Sequence, residues 1–406
     1  MAASLSEKSE RHSVGTVDPG RPLPDAGGGQ PAFVVLDSSG GRSGVMAVRV
    51  ARAMPPRARA LDAASGLTDG LLGPIGHGPG LATGPAEMES YYVFCPAPPG
   101  PAVAAAPSAW TEADLLECLL RPAAQALQRL AAHGVTHRAI RPNNVFQSVP
   151  GQPVVLGQGW AAPPAALQPA LFEPAYSAMC LPCGRGEGTI ADDVYALGVL
   201  MVVLALGRTP LEGQDASEIV RRKLERGSFA AIVGDARLPT IIADLARGML
   251  AEDPDHRPSP SLLLDPVAAQ TRRLAARPAK RAPVPARIGP WVAWNARALA
   301  HAIAVHPEPG LAALRSGAVD AWLRRSLGDA LLAGRLEEIV RALPSAAVEA
   351  RADALLGMCA VAVLDPLAPL CWRGVAVWPD GIGPALAGVQ RTEGADDEAE
   401  IGRAHV

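Results

Sequence analysis

Apolar and polar positions recur along this chain with two different periods, and the change of period divides it. Residues 1 to 30 show neither. Pro19, Gly20, Pro22, Pro24 and the run Gly27-Gly28-Gly29 leave too few apolar groups to offset the entropy of ordering, which predicts a flexible leader. From Phe33 the β-branched runs Phe33-Val34-Val35-Leu36 and Val45-Met46-Ala47-Val48-Arg49-Val50, separated by Ser38-Ser39-Gly40-Gly41, predict a hairpin. A short helix broken at Gly66 and Gly70 is expected within Leu61 to Leu72, and a strand at Tyr91-Tyr92-Val93-Phe94 that stops at Pro96.

Helical spacing takes over at Thr111. Leu115, Leu119, Ala123, Leu127 and Leu130 share one face up to Ala132, with Thr111 and Asp114 as capping signals and Gly134 as the stop. Short strands are expected at Val145-Phe146 and Val154-Val155-Leu156, around a turn at Pro150-Gly151. The longest apolar run, Val194 to Leu206, falls short of the roughly 18 to 20 residues that span a bilayer, so it reads as a buried helix and no membrane segment is expected. Proline and positive charge at Arg277 to Pro285 predict a linker over 276–290. Beyond it, Trp291 to Ala304, Leu311 to Ser316, Val319 to Leu327, Leu331 to Leu343 and Ala346 to Leu364 read as helices of a separate α-helical domain, 291–399. Trp291, Trp294, Trp322, Trp372 and Trp378 are its expected packed anchors. The last residues, Glu400 to Val406, read like a translated sequencing adapter, with the natural chain expected to continue past them.

Composition narrows the classes. With 406 residues and 49% hydrophobic content, the chain has enough apolar material for more than one core. A net charge of −3, from 37 basic and 40 acidic residues, gives no electrostatic case for nucleic acid. Six cysteines in so long a chain are too sparse for a disulfide framework, and Met1 to Val14 lacks the apolar stretch of a secretory signal, so a reducing cytoplasm is the expected compartment. Lysine occurs only at Lys8, Lys223 and Lys280.

The stretch Thr136-His137-Arg138-Ala139-Ile140-Arg141-Pro142-Asn143-Asn144-Val145 resembles the catalytic loop of protein kinases. His137, Arg138, Pro142 and Asn144 match in register, and Ala139 stands at the position of the catalytic Asp. Glu173-Pro174-Ala175-Tyr176-Ser177-Ala178 is similar to the end of an activation segment, with Cys180 in place of its closing glutamate. Ala191-Asp192-Asp193-Val194-Tyr195-Ala196-Leu197-Gly198 and Gly207-Arg208-Thr209-Pro210 match the central helix and its exit, and Leu250, Asp253, Pro254, Arg257, Pro258 and Ser259 match the terminal signature. The motifs cover about 110 to 270. The resemblance implies an α+β, two-lobed protein-kinase-like fold: a degenerate β-rich N-lobe at 31–108, inferred from position alone, and a mostly helical C-lobe at 109–275.

The same resemblance implies chemistry that this chain lacks. Kinases place phosphates with a strand lysine, hold metal with the Asp of Asp-Phe-Gly and the loop Asn, and orient the hydroxyl with the loop Asp. No lysine lies between Lys8 and Lys223, so Arg49 is the expected occupant of the strand position, and its planar fork does not replace a compact ammonium. Gly157-Gln158-Gly159 stands at the Asp-Phe-Gly position, leaving Arg49 and Asn144 as the candidate groups toward a nucleotide. Gly40, Gly41 and Gly44 lack glycine-rich-loop spacing. Two lost groups worth roughly a thousandfold each reduce kinase turnover to on the order of one event per day.

His137, Arg138 and Asp193 are then scaffold residues, and Arg257, deprived of its usual glutamate, is expected to find another acceptor, with Glu173 or Glu187 as candidates. Cys180-Leu181-Pro182-Cys183 reads as two ordinary cysteines, and no metal site is expected. The implied function is that of a pseudokinase, a non-catalytic signalling module with protein partners and no cofactor. The alternative is an atypical serine/threonine kinase or other nucleotide-dependent transferase, which would need ATP and Mg.

Overall fold

The computed structural model describes residues 16–80, 90–105, 109–271, 279–343 and 350–392. It is a mixed α+β structure. A five-stranded antiparallel sheet has the order β1 (Thr16–Pro22), β2 (Ala32–Leu36), β3 (Arg42–Arg49), β5 (Ser90–Pro96), β4 (Gly76–Gly80). The predicted hairpin is β2–β3, with Ala32 opposite Val48 and Val34 opposite Met46. Alternation sorts its side chains. Met46, Val48, Val93 and Cys95 enter the main core, while Val35, Ala47, Tyr92 and Phe94 form a small cluster on the outer face.

Thr16–Pro22 corrects the leader expected there. Val17, opposite Val35, is 1% exposed in the outer cluster. The strand tolerates Pro19 and Pro22 because it lies at the sheet edge, where half of its donors need no partner. Residues 1–15 of that leader lie outside the described residues, as do 400–406. The helix expected within Leu61 to Leu72 is Ala58–Ala63 and ends before Gly66, whose φ is +78°.

The helix expected from Thr111 forms as a π-helical turn, Asp114–Leu120, running into the α-helix Arg121–Ala132. Thr111 and Asp114 cap it reciprocally, the Thr111 hydroxyl donating to Asp114 at 2.6 Å and accepting from the Asp114 N–H at 3.2 Å. Gly134, at φ +67°, turns the chain into the loop. The short strands β6 (Val145–Phe146) and β7 (Val155–Leu156) pair as expected. The apolar run becomes part of the helix Ile190–Leu206, capped by a Thr189–Asp192 box and stopped by Gly207 in the left-handed region. It is buried nearly all round, as a helix without a polar face must be. Among the described residues no helix is long and apolar enough to cross a membrane.

Past residue 279 the expected helices form, as Ala296–Val305, Pro307–Arg315, Ala318–Trp322 running into Leu323–Leu327, Ala330–Ala342 and Ala350–Leu364, and two hairpins that were not expected accompany them. Ala286–Ile288 and Trp291–Ala293 pair as a hairpin where a linker and a helix start were predicted, because Gly289 at φ +55° supplies the turn. The helix begins at Ala296, capped by Asn295. A second hairpin, Leu370–Trp372 with Val375–Val377, turns at Arg373 and Gly374, both at positive φ. Trp322 is an anchor, 8% exposed with its indole donating to Val284 O at 2.7 Å. Trp372, at 39% exposed, is not.

This region shares its core with Cys180 and grips the segment before the helix Ile190–Leu206. Leu181 N–H donates to Ala376 O at 3.0 Å, Trp378 N–H to Gly184 O at 2.9 Å, and Glu187 N–H to the Asp380 carboxylate at 2.8 Å.

Candidate functional site

The loop 136–144 takes its shape from one carboxylate. Asp193, wholly buried in the first turn of its helix, accepts the N–H of His137 at 2.7 Å and of Arg138 at 2.6 Å. That clamp holds Arg138 at φ +56°, a conformation that L-residues adopt at a cost. Burial pushes the Asp193 carboxyl up to about 6, against the pull of Arg138 and the two N–H bonds, so it is ionised at neutral pH.

His137 is equally buried. Its Nδ1 accepts the Ala139 N–H at 3.3 Å, which leaves the proton on Nε2 to donate to Gly157 O at 2.8 Å. Burial pulls the ring down to about 4 and keeps it neutral. Arg138 donates to Glu173 and Ser177, both at 2.9 Å. Burial works against its charge, but Glu173, Asp192 and Asp193 outweigh burial and leave its ionisation raised. Asp193, His137 and Arg138 therefore meet in one bonded unit.

Ala139 presents a methyl group. Asn144 donates its amide to Ala139 O and Gln158 O, both at 2.8 Å, while its Oδ1 is buried with no partner. Gly157 and Gly159 let the following segment press onto the loop. A Cβ at Gly157 would lie 2.0 Å from Asn144 Oδ1 and 2.6 Å from Asn144 O, and one at Gly159 would lie 2.4 Å from His137 O. Gln158 accepts from the Trp160 and Ala161 N–H groups and donates to Gly27 O at 2.5 Å.

That last bond belongs to a feature the sequence reading missed. The connection between β1 and β2, residues 23–31, folds down as a strap onto the loop, with Gly28 O accepting from Arg141 at 2.5 Å. Gly28 sits at φ +58°, where a Cβ would come within 2.8 Å of Asn144 Oδ1. Only glycine fits there. Gly27 to Gly29 are thus packed closely against their neighbours, while Gly40 and Gly44 are open turn positions with nothing near. Under the strap lies a cavity of about 20 Å³, lined by Gly28, Ala139, Arg141, Gln158, Gly159 and Leu167 among others.

Arg49 does not join this group. It is exposed on the outer face of β3, its guanidinium 5.8 Å from the Phe33 ring centroid. The strand position that faces the main core is Val48, fully buried. Arg57, which no motif marked, takes up a central place. It donates to His137 O at 3.1 Å, Gly159 O at 3.3 Å and Thr136 Oγ1 at 2.9 Å, and pairs with Glu187.

Arg257 finds its substitute acceptor in Asp192 at 3.0 Å, with Ala191 O, Ala251 O and Glu252 O around it. Asp192, and neither of the expected glutamates, serves because it projects from the helix start beside Arg257. Glu173 is engaged by Arg138 and Glu187 by Arg57. Cys180 and Cys183 are free thiols whose ionisation burial pushes up, Cys180 to about 12.

Lys223, also unmarked by any motif, is fully buried and donates to Ala170 O, Leu171 O and Glu173 O at 2.7–2.8 Å. Burial pulls its ammonium down to about 7. The unfolded chain, with an ordinary lysine, holds that proton up to about pH 10.4. Between the two values the unfolded state binds more protons, so this group adds stability as pH rises from 7 and gives it up as pH falls back. Lys223→Met removes the slope. The stability difference between wild type and variant is expected to grow by about 3 kcal/mol from pH 7 to 10, read by urea denaturation at each pH.

No family model matches the chain. Part of it is similar to serine/threonine protein kinases. The serine/threonine-protein kinase PkaA of Streptomyces coelicolor is 32% identical over 150 residues, 34% of this chain and 26% of the relative. CBL-interacting serine/threonine-protein kinase 7 of Arabidopsis thaliana is 27% identical over 149 residues, 36% and 33% of the two chains. The DNA damage-responsive serine/threonine-protein kinase RqkA of Deinococcus radiodurans is 29% identical over 159 residues, 37% and 23%. The match spans no more than 33% of the length of any of these relatives. The likeness supports a protein-kinase-like chain.

Proposed function

We propose that this kinase-like chain works without phosphoryl transfer, as a pseudokinase that serves as a protein-interaction module. The observation that carries the reading is the strap: Gly28 is bonded to Arg141 of the loop and Gly27 to Gln158 of the segment pressed onto it, where a substrate hydroxyl and a nucleotide's phosphates would have to meet. What they leave is about 20 Å³, against the roughly 300 to 1,000 Å³ of ordinary small-molecule sites. The residues beneath the strap agree with it. Ala139 offers no base, Gly157 no carboxylate for a hard dication, and the Asn144 amide already serves two backbone carbonyls. The face of the second hairpin that carries Leu370, Trp372 and Val375, each about 40% exposed, is apolar surface of the kind a protein partner covers.

Titration with ATP and Mg or Mn, followed by thermal denaturation, tests the proposal. A nucleotide at a hundred times its Kd stabilises a fold by about 2.7 kcal/mol. No stabilisation is expected here. A nucleotide-dependent rise, together with phosphate transfer that Asn144→Ala abolishes, would establish the atypical kinase instead.

A further inference from the structure

Buried guanidinium groups surround the loop, and they do not balance. Arg57 has Glu187 and Arg138 has Glu173. Arg141 is 3% exposed and donates only to neutral oxygens, Gly28 O at 2.5 Å and Gln168 Oε1 at 3.4 Å. Arg185, 5% exposed, likewise donates to Ala165 O and Gln168 O. Among the described residues neither makes an ion pair. Burial lowers the Arg141 ionisation to about 10, which still leaves it a cation at neutral pH. A buried charge without a partner is among the costliest arrangements in a protein. Beside these two guanidiniums, Gln168 Nε2 and Arg185 Nε are buried donors with no acceptor. Glu173 offsets the Arg185 charge, whereas no carboxylate acts on Arg141, which alone of the two lines the cavity under the strap.

We propose that the cavity under the strap is a halide site, occupied by chloride, with Arg141 as its principal cation. The space of about 20 Å³, part-open to solvent, is enough for a small ion beside Arg141. A guanidinium has five N–H donors, and the two bonds that Arg141 makes leave others for the cavity it lines. The ion lies between the strap at Gly28 and the loop at Ala139, so filling the site favours the strap's closed position. The site rests on that closed position and not on the absence of catalysis, which the nucleotide titration tests separately.

Crystals of the whole chain grown in bromide, with diffraction measured at the bromine edge, locate the ion directly. An anomalous peak in the cavity beside Arg141 is expected. In solution at constant ionic strength, replacing gluconate by chloride is expected to raise the melting temperature by about the same increment for each tenfold step above the site's Kd. Arg141→Gln is expected to abolish that increment, and inorganic phosphate to produce none. An empty or water-filled cavity in bromide, a phosphate effect equal to that of chloride, or a chloride effect unchanged in Arg141→Gln would each overturn the proposal. Should Arg141→Gln not fold, the bromide peak and the wild-type titration decide it alone.

Discussion

Placing acids at two positions around the loop, Ala139→Asp with Gly157→Asp, is expected to yield no phosphoryl transfer and a protein less stable by about 3 kcal/mol or more. The reason is steric before it is chemical. A Cβ at Gly157 collides with the Asn144 amide at 2.0 Å and with the Asn144 backbone oxygen at 2.6 Å, so no rotamer of Asn144 relieves both contacts. The new carboxylate would enter a position where Asn144 Oδ1 already lacks a donor, which adds repulsion between acceptors to the overlap. At Ala139, 8% exposed, a second carboxylate would stand near Arg141, so the single variant Ala139→Asp is the milder of the two. Denaturant midpoints for both single variants and the pair, with a radiolabelled phosphate-transfer assay, check the prediction. A double variant as stable as wild type and able to transfer phosphate would refute it.

The second large effect belongs to Asp193→Ala. It strips the acceptor from two buried N–H groups, His137 and Arg138, and an orphaned buried donor costs about 1 to 3 kcal/mol. The same change removes what holds Arg138 at φ +56° and takes a negative charge from beside Arg138 and Arg57. A loss of about 4 kcal/mol is expected, with roughly half of it for Asp193→Asn, whose one remaining oxygen can serve one donor. Equilibrium unfolding in guanidinium measures both. A loss below about 1 kcal/mol for the alanine variant would show that the loop keeps its shape without the clamp.

What the sequence disclosed, it disclosed through local rules. The capping signals at Thr111 and Asp114, the stop at Gly134, the β2–β3 hairpin and the buried run after Val194 depend on near neighbours, and each appears where its residues place it. The loop was legible through its motif, because His137, Arg138, Ala139 and Asn144 keep fixed spacings. Parity was harder. Whether Val48 or Arg49 faces the core is a matter of one residue's register, and the apolar run at 45–50 gives no alternation to decide it.

Non-local pairings left no trace at all. Val17 earns its strand from Val35, and the glycines at 27–29 acquire meaning only against Asn144 and Gln158, more than a hundred residues away. The partner of Arg257 was a choice among acids that only packing makes. The hairpin at 370–377 had a turn pair in Arg373-Gly374, but strands of three residues are too short for periodicity to detect.

The bonds that grip the centre of the chain from both sides carry a consequence for how it folds. Gly28 reaches Arg141 across 113 residues, Gly27 reaches Gln158 across 131, and Asp380 reaches Glu187 across 193. Loop closure over such spans is entropically expensive and late. The contacts around the loop are therefore expected to form after the helices and hairpins on either side, because each must bring distant stretches of the chain together.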